Sequence, residues 1–288
     1  MKLRVIANPA AGGGRTARHL EGVRRALRDL RLEHELDLTR SLDHARELAR
    51  TATSRGEIAV AFGGDGLIGA VADALKRTDG TLGVLPGGRG NDFARVLGIP
   101  SEPRAACQVL ATGKIRPIDL GTAGDATFIG IASCGFDSDA NRVANESKLI
   151  RGNLVYAYGA LRTLASWRPA RFEVTVDGES RSVSAYTIAA ANSKAYGGGM
   201  MLAPDAELDD GLLDVVIVED IPKLRFLRLL PSVFKGEHVH QPTVHVLRGA
   251  RIEIRADRPF TVYADGDPVA ELPVTLGTVP RAVRVLVP

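Results

Sequence analysis

The chain has 288 residues, 45% of them apolar and 25% charged, with a formal net charge of +3, enough for one large or two modest packed domains. Nearly balanced charge excludes a polybasic nucleic-acid binder and leaves only a mild attraction to anionic surfaces. Two cysteines without metal-like spacing, no apolar stretch of ~20 residues and an N-terminal apolar run too short for a signal peptide point to a soluble cytoplasmic protein.

Leu3–Ala7 reads as a buried strand, followed by Asn8-Pro9-Ala10-Ala11-Gly12-Gly13-Gly14 and an arginine-rich helix from about Arg15 to Leu30. Glu33–Leu38 alternates as a strand that Thr39 closes, and Ser41 is the expected N-cap of a helix over Leu42–Thr53. The apolar run Glu57–Phe62 ends in Gly63-Gly64-Asp65-Gly66. Leu67, Ile68, Ala70, Val71, Ala74 and Leu75 then recur with helical spacing. Leu82–Leu85 is a further strand, ending in Pro86-Gly87-Gly88-Arg89-Gly90-Asn91-Asp92 and running into a helical Phe93–Leu97. Ser101 should cap a helix over Glu102–Ala111, which Gly113 ends. This alternation predicts a doubly wound α/β layer.

After Lys114 the strands shorten. Ile115–Leu120, Thr127–Ala132, Arg171–Val176, Arg181–Ala191, Leu212–Val218, Thr243–Leu247, Arg251–Ile254, Phe260–Ala264 and Ala282–Val287 are candidates, with Asp177-Gly178 and Asp265-Gly266 as hairpin signals. They predict an antiparallel β-sandwich or barrel, interrupted by helices at Leu154–Trp167 and Pro222–Phe234, and a domain boundary near Gly121 that separates residues 1–121 from 122–288. The second helix mixes leucine and phenylalanine with Lys223, Arg225, Arg228 and Lys235. It reads either as a cover over one mouth of the sandwich or as a basic amphipathic element that rests on a membrane.

Three strand, glycine-loop, helix units leave the same ends of parallel strands, where open α/β sheets bind ligands. Glycines let main-chain N–H groups converge on an anion, and a helix N-terminus adds partial positive charge, so phosphate is the expected ligand. Gly63-Gly64-Asp65-Gly66 alone is also what an ordinary tight turn uses. Asp65 would repel phosphate unless Mg²⁺ lies between them or it handles a proton. Gly12, Gly14 and Ala17 satisfy the loose dinucleotide pattern with Asp37 as its acid, which keeps a dehydrogenase in view; no lysine follows Gly14 as a P-loop requires. Asp119 sits among apolar neighbours and needs a partner. The acid-dense stretch Leu208–Asp214 suits a hard cation but equally a solvated turn, and His238, His240 and His245 would share a face if both their stretches were strands.

Asn8-Pro9 with Gly12, the Gly63–Gly66 and Pro86–Arg95 motifs, Gly197-Gly198-Gly199-Met200 with Ala203-Pro204, Asp210–Asp214 and Asp265-Gly266-Asp267 together resemble the diacylglycerol kinase catalytic-domain family of lipid kinases, in order along the chain. The resemblance implies an ATP-binding α/β domain, an antiparallel β domain for the lipid, and an active site in the cleft between them. ATP would be bound by Asn8, Pro9, Gly12, Thr39, Gly63, Gly64, Asp65, Gly66, Leu67, Ile68, Gly69, Gly88, Arg89 and Asn91. Asp65 and Asp119 would organise Mg²⁺, and Asp267 would take the proton of the lipid hydroxyl. Asp210, with main-chain oxygens of Glu207 and Leu212, would hold a structural Mg²⁺. The implied partners are a lipid at the inner membrane face, met by transient peripheral contact, and a second copy of the chain in a homodimer. Three positions depart from the family pattern: Leu67 and Arg89 replace threonines and Asp267 replaces a glutamate. These departures motivate a non-enzymatic, lipid-binding alternative, and the shared GGDG loop motivates an NAD kinase-like one.

Overall fold

Strands buried on both faces need no polar alternation, and the first half of the chain supplies three of them. In a computed structural model describing residues 2–146 and 162–288, β1 (Lys2–Ala7), β3 (Ile58–Gly63) and β4 (Thr81–Pro86) run parallel, with the alternating β2 (Glu33–Leu38) at the edge in the order β2-β1-β3-β4. The order reverses between β1 and β3, which makes the C-terminal ends of those two strands the switch point of the sheet. Helices α1 (Ala11–Asp29), α2 (Leu42–Ser54), α3 (Asp65–Leu75), α4 (Asp92–Val96) and α5 (Pro103–Thr112) connect and cover them. Ser41 caps α2 as expected, accepting a hydrogen bond from the His44 N–H at 3.0 Å. The cap of α5 is one residue later than expected. Glu102, not Ser101, accepts from the N–H groups of Arg104 and Ala105, because Pro103 occupies the first helical position.

The second half is an antiparallel, sandwich-like layer. Its elements are β5 (Lys114–Ala123), β6 (Ala126–Phe128), β7 (Ile131–Gly135), α6 (Phe136–Glu146), β8 (Ala170–Val176), β9 (Glu179–Ala191), β10 (Leu213–Glu219), α7 (Lys223–Val233), β11 (Val244–Gly249), β12 (Arg251–Ala256), β13 (Thr261–Ala264), β14 (Asp267–Glu271) and β15 (Val274–Val287). Both predicted hairpins form on two-residue turns, with Asp177, Gly178, Asp265 and Gly266 all at positive φ as a type I′ turn requires. The run Thr127–Ala132 breaks into β6 and β7, and β14 joins in although Pro268 and two acids obscure its pattern. The helix expected over Leu154–Trp167 falls mostly outside the described residues; residues 162–166 are helical. The histidines do not share a face. His238 is buried in a 3-10 turn, where burial lowers its pKa and its Nε2 bonds to the Leu202 carbonyl, whereas His245 on β11 meets Glu219.

One ribbon ties the layers together. The first residues of β15 pair with β12, its last residues lie parallel to β4, and β5 runs antiparallel alongside it for nearly its whole length. Ala282, Val283, Val285 and Leu286 accordingly pack in the core of the first layer, while Val274 and Leu276 belong to that of the second.

On β1 an ion network centres on one buried pair, Arg4 and Glu57. Arg4 reaches Glu57 at 2.8 Å, Asp37 at 2.7 Å and Glu35 at 2.5 Å, and Lys2 also reaches Glu57 at 3.0 Å. The Arg4 guanidinium holds the Glu57 carboxyl below its ordinary range. Arg4→Met strips a buried carboxylate of its main partner and should cost about 3 kcal/mol at pH 7. A carboxyl held low contributes stability that is present above its unfolded pKa and lost as the pH falls through its folded value, so the deficit should shrink on acidification. Denaturant unfolding at pH 7 and pH 3.5 measures both; equal midpoints for the two proteins at pH 7 would contradict the role given to Arg4.

Candidate active site

Three glycine loops meet at the switch point, main chain against main chain. The N–H groups of Gly87 and Gly88 both donate to the Gly63 carbonyl, at 2.7 and 3.1 Å. A Cβ on Gly12, itself at φ 61°, would lie 2.5 Å from the Gly87 carbonyl oxygen, and one on Gly88 would lie 2.5 Å from the Gly64 Cα. Only glycine allows these contacts. Asn91 braces the third loop by accepting from the Gly88 N–H at 2.7 Å and donating to the Gly88 carbonyl at 3.1 Å. Asn8 braces the first, accepting from the Ala10 N–H at 3.1 Å.

The loops enclose an open cleft of about 400 Å³, floored by glycine main chain and edged by Asn8, Leu42, Leu67 and Arg89. Helix α3 starts at its wall, with Gly64 as the N-cap residue. Arg89 is exposed beside Gly13, and Arg15 donates to the Gly88 carbonyl at 2.9 Å. Positive charge, glycine main chain and a helix N-terminus thus border one space, the combination that suits phosphate oxygens. Thr39 is buried at the end of β2, its hydroxyl donating to the Ser41 carbonyl at 2.6 Å, and Leu67 turns back under Gly63. Asp37, the acid that a dinucleotide site would need, is committed to Arg4.

Asp65 stands at the start of α3 and accepts from the Phe93 N–H at 3.1 Å and, more weakly, the Asp92 N–H at 3.3 Å. Burial pushes its carboxyl above the ordinary range, and the neighbouring Asp92 carboxylate adds to the shift. Two close acids without a cation on Asp65 form an oxygen donor set of the kind that a hard divalent ion satisfies, so Mg²⁺ fits here. Asp92 in turn crosses to the second layer. Its Oδ1 pairs with Arg95 at 2.5 Å and its Oδ2 accepts from the Gly198 N–H at 2.7 Å.

The hairpin between β13 and β14 offers two acids with different fates. Asp265 is anchored, accepting from the N–H groups of Ile129 at 2.8 Å, Gly130 at 2.9 Å and Ile131 at 3.3 Å. Burial drives its carboxyl up to about 6 against those three hydrogen bonds, with the nearby Asp65 charge contributing. It faces α3 closely enough that a Cβ on Gly69 would sit 3.9 Å from its Oδ2. Asp267 follows on the exposed side of the turn, paired in register with Ala264. The Asp265 anchor was not evident from sequence, where both acids read as turn residues.

Asp119 is engaged elsewhere. Nearly inaccessible, it accepts from the Arg281 N–H and the Gly211 N–H, each at 2.6 Å, and so closes the bulge in β15 against the Asp210-Gly211 turn. Asp210 accepts from the Leu212 N–H at 2.9 Å and pairs with Arg248, which also reaches the buried Asp214 at 3.4 Å. Burial raises the Asp214 carboxyl; Arg248 opposes the shift, and Asp210, Asp205 and Glu207 add smaller contributions to it. A carboxylate of Asp210 with main-chain oxygens of Glu207 and Leu212 would suit a hard cation there. No cluster of three or more metal-binding side chains occurs among the described residues.

Comparison with known proteins places these features in a family. Residues 2–123 match the diacylglycerol kinase catalytic domain, and residues 130–287 match the YegS C-terminal NAD kinase beta sandwich-like domain. A diacylglycerol kinase of Mycobacterium tuberculosis is 34% identical over all of this chain and 95% of its own length; one of Bacillus subtilis is 30% identical over all of this chain and 96% of its own. A solved Bacillus anthracis structure assigned to the diacylglycerol kinases superposes with a TM-score of 0.84 at 22% identity, covering 100% of this chain and 97% of that one, which speaks for the fold.

Asp119 provides a test that separates structure from chemistry. Asp119→Ala removes the acceptor of two part-buried N–H groups and should lower stability by about 2 kcal/mol, with Tm falling accordingly. A variant that melts like the wild type yet transfers no phosphate would restore Asp119 to the metal.

Proposed function

We propose, for a chain that belongs to the diacylglycerol kinase-like lipid kinases, that it transfers the γ-phosphoryl group of ATP to a hydroxyl of diacylglycerol or a similar lipid. The observation that carries this reading is the cleft in which three glycine loops and Arg89 face one space next to the Asp65 carboxylate, which accepts from the Asp92 and Phe93 N–H groups. Loop N–H groups and the α3 N-terminus would bind and orient the phosphates, and the exposed Arg89 would supply the charge-assisted hydrogen bonds that a threonine hydroxyl lends more weakly. Asp65, fixed by the Phe93 N–H, would hold Mg²⁺, which offsets negative charge on the transferring group. The bond between the lipid oxygen and phosphorus forms as the bond to the ADP oxygen breaks, in line. The hydroxyl proton passes to a carboxylate, for which the family resemblance nominates Asp267; Asp265 anchors the hairpin that presents it. Structural Mg²⁺ at Asp210 would stabilise the second layer without entering the reaction. Working at the inner membrane face, the enzyme would meet its lipid by peripheral contact.

Transfer of radiolabel from ATP to a panel of lipids, with NAD as the control acceptor, tests the reaction. Label in NAD alone would favour the NAD kinase reading, and label in neither would favour a lipid-binding protein. Asp65→Asn should lose more than about 90% of turnover, since each ~1.4 kcal/mol of barrier is tenfold in rate, while its melting curve stays intact. Asp267→Asn should lower kcat by roughly 10²- to 10⁴-fold with ATP binding unchanged. Asp267→Glu should retain activity. Wild-type rates in Asp267→Asn would remove it from the chemistry and turn attention to Asp265.

A further inference from the structure

Helix α7 covers the second layer with one face only. Phe226 and Val233 point inward, and Phe226 stacks on Tyr186 with 4.3 Å between ring centroids. At 3.6 residues per turn the opposite face carries Leu224, Arg228, Pro231 and Lys235, with Leu227 and Phe234 along one flank and Arg225 on the other. Leu224 and Phe234 are 60% and 56% exposed, the highest values for large apolar side chains among the described residues. An ordinary covering helix would show polar side chains there. Four cations, Lys223, Arg225, Arg228 and Lys235, intersperse them, and no acid occurs between Ile221 and Gly236. That segment therefore carries +4, more than the +3 of the whole chain. None of the four forms an ion pair among the described residues; Lys223 donates to the Ala165 carbonyl at 2.9 Å.

The helix is wired to the cleft. The Met201 N–H donates to the Val233 carbonyl at 2.9 Å, Tyr196 and Met200 exchange N–H and carbonyl bonds across the glycine loop, and Asp92 holds that loop at Gly198. A surface seated on α7 lies next to the segment that joins both layers.

We infer that the outer face of α7 docks the protein on an anionic lipid bilayer, with Leu224 and Phe234 entering the headgroup region and the four cations facing anionic lipids. Long basic side chains lend their stems to the apolar face and their charges to the headgroups, and exposed apolar and basic side chains along one helix are what an interfacial helix requires. A second copy of the chain fits this face poorly, because symmetric pairing sets four unpaired cations against four more. The docking itself follows from this face alone; only its use in presenting the acceptor rests on the proposed reaction.

Sedimentation of the full chain with phosphatidylcholine vesicles, and with vesicles in which a third of the lipid is phosphatidylglycerol, tests this without ATP. The wild type should sediment with the anionic vesicles and be released by high salt. The double variant Arg225→Gln/Arg228→Gln should bind about thirtyfold more weakly, and Leu224→Ser/Phe234→Ser at least about tenfold more weakly. All these side chains are solvent-facing, so both variants should melt as the wild type does. Equal binding to neutral vesicles, no binding to either, or variants that keep wild-type partition would overturn the inference, as would self-association abolished by the same substitutions. A chain that binds anionic vesicles and transfers no phosphate would sink the reaction and leave the docking face standing.

Discussion

Contact between main chains where β1, β3 and β4 end governs this molecule. Gly63 receives the N–H groups of Gly87 and Gly88, Gly12 lies against Gly87, and Gly88 lies against Gly64, with no room for a side chain at the closest points. Close packing without side chains brings the three loops to line one cleft with little but main chain. The sheet behind them is rigid because both of its faces are covered, which keeps the loops in place. On the proposed reading, phosphate recognition would be a consequence of backbone geometry more than of any charged side chain.

The second layer is held to this centre by polar ties of long sequence separation. Asp119 closes the bulge of the β5–β15 ribbon, Asp92 reaches Gly198, and Asp265 grips the strand entry at Ile129–Ile131. Each is an acid whose oxygens accept main-chain N–H groups, an arrangement that fixes loops firmly because the donors cannot rotate away. Asp265, and Asp65 near it, are also pushed above the ordinary carboxylate range by burial, which is the condition under which a cation or a proton becomes useful.

Much of the fold was legible because its signals are local. Apolar runs, the Ser41 cap and the Asp-Gly turns located strands, helix and hairpins at or near their places, and the three glycine loops announced the cleft. What stayed hidden depends on contacts between distant residues. Asp119 read only as an acid in need of a partner, because Gly211 and Arg281, whose N–H groups it accepts, come from far along the chain. Asp265 and Asp267 are indistinguishable as hairpin acids until the N–H groups of Ile129 and Gly130 are found to engage one of them. The α6 helix (Phe136–Glu146) has no capping signal strong enough to show among the strands, and β14 is disguised by Pro268. The outer face of α7 was visible as a basic amphipathic pattern, but the exposure of Leu224 and Phe234 on a helix that also covers the core was not.

The most direct test of the central claim is the equilibrium dissociation constant of ATP for Gly88→Ala beside that for the wild type, each with Mg²⁺ present. An added Cβ must displace the Gly64 main chain, which lies 2.5 Å from it, and so must part the second loop from the third. The account predicts affinity at least about tenfold weaker, the equivalent of ~1.4 kcal/mol, in a protein whose second layer remains folded. An unchanged dissociation constant would show that ATP is held elsewhere and that the glycine loops are only turns.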